Sequence, residues 1–164
     1  MSLSSPNFDK TKNRVREVLE ENFILDPPVI AQKLAEGYGL TVRYSFFKPE
    51  YNDISGFIEA DKKRIVVNAE DSPARQNFTI AHELGHYLLE HDLLGSEYTC
   101  LFRNPAKQKS TPIEQEANCF AANLLVPSFF LRKYLDDYPF AADEQLSKIF
   151  GVSAEVIRFR KQYL

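Results

Sequence analysis

"SPARQNFTIAHELGHYLLEH", residues 72–91, is where the chain changes period. Before it, "LTVRYSFF" and "SGFIEADKKRIVVNA" are rich in β-branched and aromatic residues. They read as a strand and a hairpin, with Asp61, Lys62 and Lys63 at the turn. From Ser72 the apolar residues Phe78, Leu84, Leu88 and Leu89 follow a helical spacing instead. Ser72 offers an N-cap and Pro73 suits the first helical position, so a helix is predicted from there to about His91. "IEQEANCFAANLLVP" predicts another helix, closed by Pro127. The fold class is therefore α+β, with a small three-stranded sheet early and helices packed on it.

The flanks fill in around this centre. Residues 10–23 place Val15, Val18 and Leu19 at helical spacing, and Ile24 follows. "DPPVIAQKLAEGYG" predicts a second helix, with Asp26 as cap, the prolines in the first turn and Gly37 or Gly39 ending it. "RNPAKQKSTP" is polar and proline-bounded and reads as a mobile surface loop. The C-terminal part reads as short helices, and "EQLSKIFGVSAEVIRFR" has helix-turn-helix character, turning at Gly151 and capped at Ser153. Arg158, Arg160 and Lys161 give it a modest basic patch. A packing subdomain is the expectation for this segment, ahead of protein docking and of DNA contact.

Composition excludes several classes. The net charge of -3 gives no global attraction to nucleic acid or to an anionic membrane surface. Apolar runs such as "NCFAANLLVP" fall far short of the roughly 20 residues of a membrane span. "MSLSSPNFDK" lacks the apolar core of a signal peptide, and its "MSL" reads as an expression remnant. Cys100 and Cys119 match no zinc-ribbon or redox spacing and are expected as free thiols in a reducing cytoplasm. One domain, 1–164, is predicted, with a core over about 26–127 and a helical subdomain over about 128–164.

The central helix carries the chemistry. It holds all three histidines of the chain, His82, His86 and His91. At about 100° per residue, His86 lies about 40° from His82, Glu83 about 100° and His91 about 180°. H-E-x-x-H therefore sets two imidazoles one turn apart on one stripe, able to share one ion, with a carboxylate at the flank. Glu83 does not reach that ion easily, but it reaches a water beside it and suits a general base. Gly85 costs roughly 1 kcal/mol relative to alanine in a helix, which suggests close approach by another element or by substrate. The alternative is a solvated face with incidental histidines, and the apolar residues around the pair argue against it.

A catalytic zinc usually has three protein ligands. No glycine follows His86 to turn the chain back, so His91 is expected to be exposed near the helix end, favoured there by the helix dipole. The other carboxylates are Glu114 and Glu116. With Glu114 at zero, Asn118 falls at about 40° and Leu125 at about 20°, on the buried edge, while Glu116 falls at about 200° on the polar side. A core-facing Glu114 calls for a cation or strong donors, and a zinc ion with two histidines is such a cation. Asn118 is placed to orient Glu114 or to accept the second ring N–H of a histidine. Ala117, Ala121 and Ala122 allow the two helices to approach closely. The competing role for Glu114 is a capping box with Thr111.

At these segments the chain resembles the ImmA/IrrE metallopeptidases, and the resemblance extends over "GLTVRY", "GFIEADKKRIVVNA", "RQNFTIAHELGHYLLEH", "EQEANCFAANLLVP" and "FGVSAEVIRFR". It implies a zincin-like helix pair, with His82, His86 and Glu114 as ligands of one zinc ion (Zn2+) per chain and Glu83 as catalytic base. The related gluzincin pattern E-x-x-x-[DN] fits Glu114 with Asn118, whereas Glu116 would pair with Phe120. Members are associated with prophages and mobile elements, and several cleave or inactivate helix-turn-helix repressors. Many carry a helix-turn-helix domain of their own. Only about 25 residues precede the matching part here, so the resemblance implies a repressor on a separate chain. The expected reaction is peptide hydrolysis by a zinc-activated water. Tyr98, Tyr51, Arg75 and Arg103 are the candidate oxyanion donors, and "SGFIEA" is a candidate edge for extended substrate. Two rivals stay open: a regulator that binds a repressor without cutting it, and a DNA-binding protein using the C-terminal helices.

Overall fold

The computed structural model describes residues 4–164, and the "MSL" start lies outside them. Helix α1, Phe8–Glu21, is capped by the Asn7 side chain, which accepts from the backbone N–H of Lys10. Helix α2 spans Ala31–Gly37 and therefore starts past the two prolines. Its N-cap residue, Ile30, supplies no side-chain oxygen. The Ala31 N–H donates instead to Asn77 Oδ1 at 2.9 Å, a cap reaching in from the central helix. Asp26 and the prolines are thus a lead-in and not a first turn.

Strand β1, Thr41–Ser45, runs parallel to β3, Arg64–Asn68, which pairs antiparallel with β2, Ile54–Glu59. Lys63 makes the hairpin turn at φ 48°. The sheet has four strands in the order β1-β3-β2-β4, not three. The added strand, β4, is Leu101–Phe102, paired with β2 at Ile54 and Gly56. Two residues cannot display an alternating pattern, which is why periodicity missed it. The polar segment after it is tied down as well. Gln108 accepts from the Phe102 N–H and donates to the Cys100 carbonyl, and Lys107 pairs with Asp53.

Helix α3, Pro73–Leu88, crosses the sheet, with Ser72 capping it as predicted. At Gly56 of β2 an added Cβ would stand 2.5 Å from Thr79 Cγ2 and 2.6 Å from the Val66 carbonyl oxygen. Only glycine lets α3 come this close to the sheet. Ile80 and Leu84 of α3, Ile65 and Val67 of β3, and Phe120, Leu124 and Leu125 of the next helix share one buried core. That helix is α4, Pro112–Leu125, capped by Thr111. α5, Ser128–Asp137, α6, Asp143–Phe150, and α7, Ala154–Gln162, complete the chain.

Leu146, Phe150, Val152 and Ile157 sink the α6–α7 pair into the same core. The expected basic patch there is dispersed. Arg160 is buried, donating from Nε to the Val126 carbonyl and from a terminal nitrogen to Ser128 Oγ. Lys161 pairs with Asp143. Among the described residues no helix is long and apolar enough to cross a membrane. Cys100 and Cys119 are both free thiols.

Candidate metal centre

The site forms where α3 and α4 pack face to face. Gly85 sets their spacing: an added Cβ would lie 2.8 Å from Phe120 Cδ1, 2.9 Å from Cγ and 3.0 Å from Cβ. The close approach suggested by a glycine inside the motif is therefore made by α4. It draws His82, His86 and Glu114 together. Their ligand-type atoms all lie within 4.8 Å of one another, and the residues are 0%, 0% and 1% exposed. The closest pairs are His82 Nε2 to Glu114 Oε2 at 3.0 Å, His86 Nε2 to Glu114 Oε1 at 3.1 Å and His86 Nε2 to His82 Nε2 at 3.2 Å.

The hydrogen bonds behind the rings fix what those front atoms are. Asn118 Oδ1 lies 2.9 Å from His82 Nδ1. It is an acceptor, so the ring proton sits on Nδ1 and His82 Nε2 presents a lone pair. Behind His86, the His91 ring lies with its Nδ1 2.9 Å from His86 Nδ1, and His91 Nε2 is 2.6 Å from Glu116 Oε2. Glu116 is also an acceptor. His91 Nε2–H therefore donates to it, His91 Nδ1 accepts, and His86 Nδ1–H donates to His91. That leaves His86 Nε2 bare as well. Burial pulls the pKa of His86 down to about 4 and lowers that of His91, keeping both imidazoles neutral. Burial raises the Glu114 carboxyl, and the two imidazoles facing it lower it only where they donate a proton to it.

Two imidazole nitrogens, each backed on its far side by a hydrogen-bond partner, and a carboxyl group thus meet at separations of 3.0–3.2 Å. Such a convergence suits a cation, and the set of two nitrogens and one oxygen fits zinc. The residues present match a metal on their own chemistry.

Glu83 is also buried, at 0% exposed. Its Oε2 accepts from Tyr98 Oη–H at 3.1 Å, and its Oε1 has no partner among the described residues. Burial, with the Glu114 charge added to it, raises its pKa well above the carboxylate range. Tyr98 Oη also accepts from the Ile58 N–H of β2 at 2.9 Å, and the Thr99 N–H donates to Glu114 Oε1 at 3.2 Å. Of the four oxyanion candidates, Tyr98 is the one at the site. Tyr51 is exposed, Arg75 is bound to Ser55 and the Phe102 carbonyl, and Arg103 pairs with Asp71. The edge of β2 is taken by β4 at Ile54 and Gly56 and by Tyr98 at Ile58. Thr111 accepts from the Glu114 N–H at 3.4 Å, but the Glu114 side chain goes to the histidines, so half of the capping box forms.

Two sequence expectations fail here. His91 is not exposed: its side chain is 7% accessible. α3 ends at Leu88, and Glu90 takes φ 57°. The Glu90 N–H then donates to the Tyr87 carbonyl and the His91 N–H to that of His86. This paired closure turns the chain back so that His91 lies behind His86. It needs a left-handed residue, usually glycine, and glutamate in that place gives no signal. Glu116 does point away from the histidine face, but α1 covers that side, and Glu116 Oε1 accepts from the Asn7 N–H at 2.8 Å. A helical wheel marks directions and not what lies in them.

Residues 35–161 match the family of IrrE N-terminal-like domains, Peptidase_M78. The chain is 27% identical over 115 residues to the metallopeptidase ImmA of Bacillus subtilis (strain 168), covering 69% of this chain and 66% of that protein. It is 30% identical over 112 residues to the uncharacterized immunity region protein 2 of Bacillus phage phi105, covering 67% of each. A Mycobacterium tuberculosis transcriptional regulator shares the fold with a TM-score of 0.63 at 17% identity, over 94% of this chain and 47% of the regulator. The chain thus spans about half of that regulator and about two thirds of the curated relatives. The family match covers most of the described fold, including α3, α4 and the three converging side chains, and the chain belongs to the ImmA/IrrE family of metallopeptidases.

Proposed function

We propose that the chain is a zinc-dependent endopeptidase, with His82, His86 and Glu114 as ligands and Glu83 as general base, acting on a separate helix-turn-helix repressor. The observation that carries this reading is the meeting of two imidazole nitrogens and a carboxyl group beside a buried, half-satisfied glutamate. A bound zinc ion supplies Lewis acidity to the scissile carbonyl and to water. Glu83 Oε1, with no partner of its own, takes the proton of the attacking water and hands it to the leaving amine. Its raised pKa brings the base closer to neutrality, where proton transfer in both directions is efficient. Tyr98 Oη–H is the donor for the developing oxyanion. Extended substrate adds to the β2 edge by replacing Tyr98 on the Ile58 N–H, which also opens the buried site. The likeness to an immunity-region protein of a phage agrees with a repressor as partner.

The test is cleavage of a repressor encoded beside this chain, with wild type and Glu83→Gln compared at equal zinc content. The variant keeps its ion and loses cleavage. A variant that still inactivates the repressor fully identifies binding, and not hydrolysis, as the activity.

A further inference from the structure

We propose that His91 and Glu116 are positioning residues that set the metal-binding tautomer of His86, with the Asn7 backbone amide fixing the outer end of the relay. This rests on the metal reading above. The chain of contacts is continuous: Asn7 N–H to Glu116 Oε1 at 2.8 Å, His91 Nε2–H to Glu116 Oε2 at 2.6 Å, and His86 Nδ1–H to His91 Nδ1 at 2.9 Å. Each link has one direction. A carboxylate only accepts and a backbone N–H only donates, so both oxygens of Glu116 are committed. His91 therefore holds its proton on the far nitrogen and accepts from His86. The single proton of His86 is kept at Nδ1, and Nε2 stays free for the ion. His82 obtains the same result more simply, from Asn118.

The relay has a step that reverses it without changing shape. In Glu116→Gln the amide has one oxygen for two donors, and with that oxygen kept on the Asn7 N–H the amide NH2 faces His91 Nε2 and makes that nitrogen accept. His91 must carry its proton on Nδ1 and donate it to His86 Nδ1, which moves the His86 proton to Nε2, onto the coordination site.

The experiment compares wild type with Glu116→Gln by zinc titration against a competing chelator, and by imidazole 15N NMR of the zinc-free protein. The relay predicts zinc affinity about 10–100-fold lower in the variant. It also predicts that the His86 proton shifts from Nδ1 in wild type to Nε2 in the variant. In a His91→Phe background, where nothing transmits the reversal, Glu116→Gln adds no further loss. If Glu116 served only to anchor the start of α1, Glu116→Gln would bind zinc as wild type does, because it keeps the acceptor for Asn7. That result, with His86 still protonated at Nδ1, overturns the relay alone. A folded wild type that takes up no zinc overturns the relay and the metal reading together.

Discussion

Gly85→Ala separates helix propensity from helix spacing. On an isolated helix the added methyl is worth about 1 kcal/mol of stabilisation. Here its Cβ would stand 2.8, 2.9 and 3.0 Å from three atoms of Phe120. Ordinary carbon contacts begin near 3.5 Å, so the gap must open by about 0.5–0.7 Å. Rotating the Phe120 ring moves Cδ1 but not Cβ, and the ring is fully buried, so the helices themselves must part. Overpacking of this kind costs about 1–3 kcal/mol, for a net loss of about 0–2 kcal/mol. For a chain of this length that lowers the melting temperature of the metal-free protein by up to about 8 °C. Glu114 and Asn118 ride on α4 with Phe120, and a site displaced by about 0.5 Å lies at the limit of productive geometry. Zinc affinity, read by chelator competition, should therefore fall about tenfold or more, equivalent to about 1.4 kcal/mol. Gly37→Ala is the control, because a Cβ there meets nothing within 4 Å. A Gly85→Ala protein that melts higher and binds zinc like wild type would refute the view that α3–α4 spacing builds the site.

Three further outcomes are expected. Zinc in hundredfold excess over its dissociation constant should stabilise the wild type by about 2.7 kcal/mol in thermal melts, and His82→Ala or Glu114→Ala should abolish that gain; stabilisation persisting in both variants would place the ion elsewhere. Tyr98→Phe should cut kcat by about 10²–10³ at unchanged zinc stoichiometry, the ordinary cost of losing one oxyanion donor; unaltered turnover would remove Tyr98 from the reaction. Arg160→Met should lower stability in urea unfolding by about 1–3 kcal/mol, because the Val126 carbonyl is left buried without its donor. A change below about 0.5 kcal/mol would mean that solvent replaces the guanidinium.

Much of this protein is written locally. A strand shows itself by alternation and a helix by its period of 3.6, and both patterns live within one short stretch of chain. That is why β1, the β2–β3 hairpin, the start of α3, α4 and the caps at Ser72, Thr111 and Ser153 stand where the residues put them. His82 and His86 are one turn apart on one helix, so their pairing is local too. Glu114 was reachable because its own helix has a buried face that a lone carboxylate does not suit. What the sequence could not express is what comes to lie against each face. β4 is a strand only because β2 offers it an edge. His91 was directed to solvent by a helix assumed to continue, and Glu116 by a face assumed to be bare. The left-handed turn at Glu90 and the packing of α1 on α4 bring the two together behind His86. The sequence by itself determined which residues form the helices and which groups are able to bind a metal. The tertiary structure decided which partners stand behind each imidazole, because Asn118 and Glu116 reach His82 and His91 from another helix.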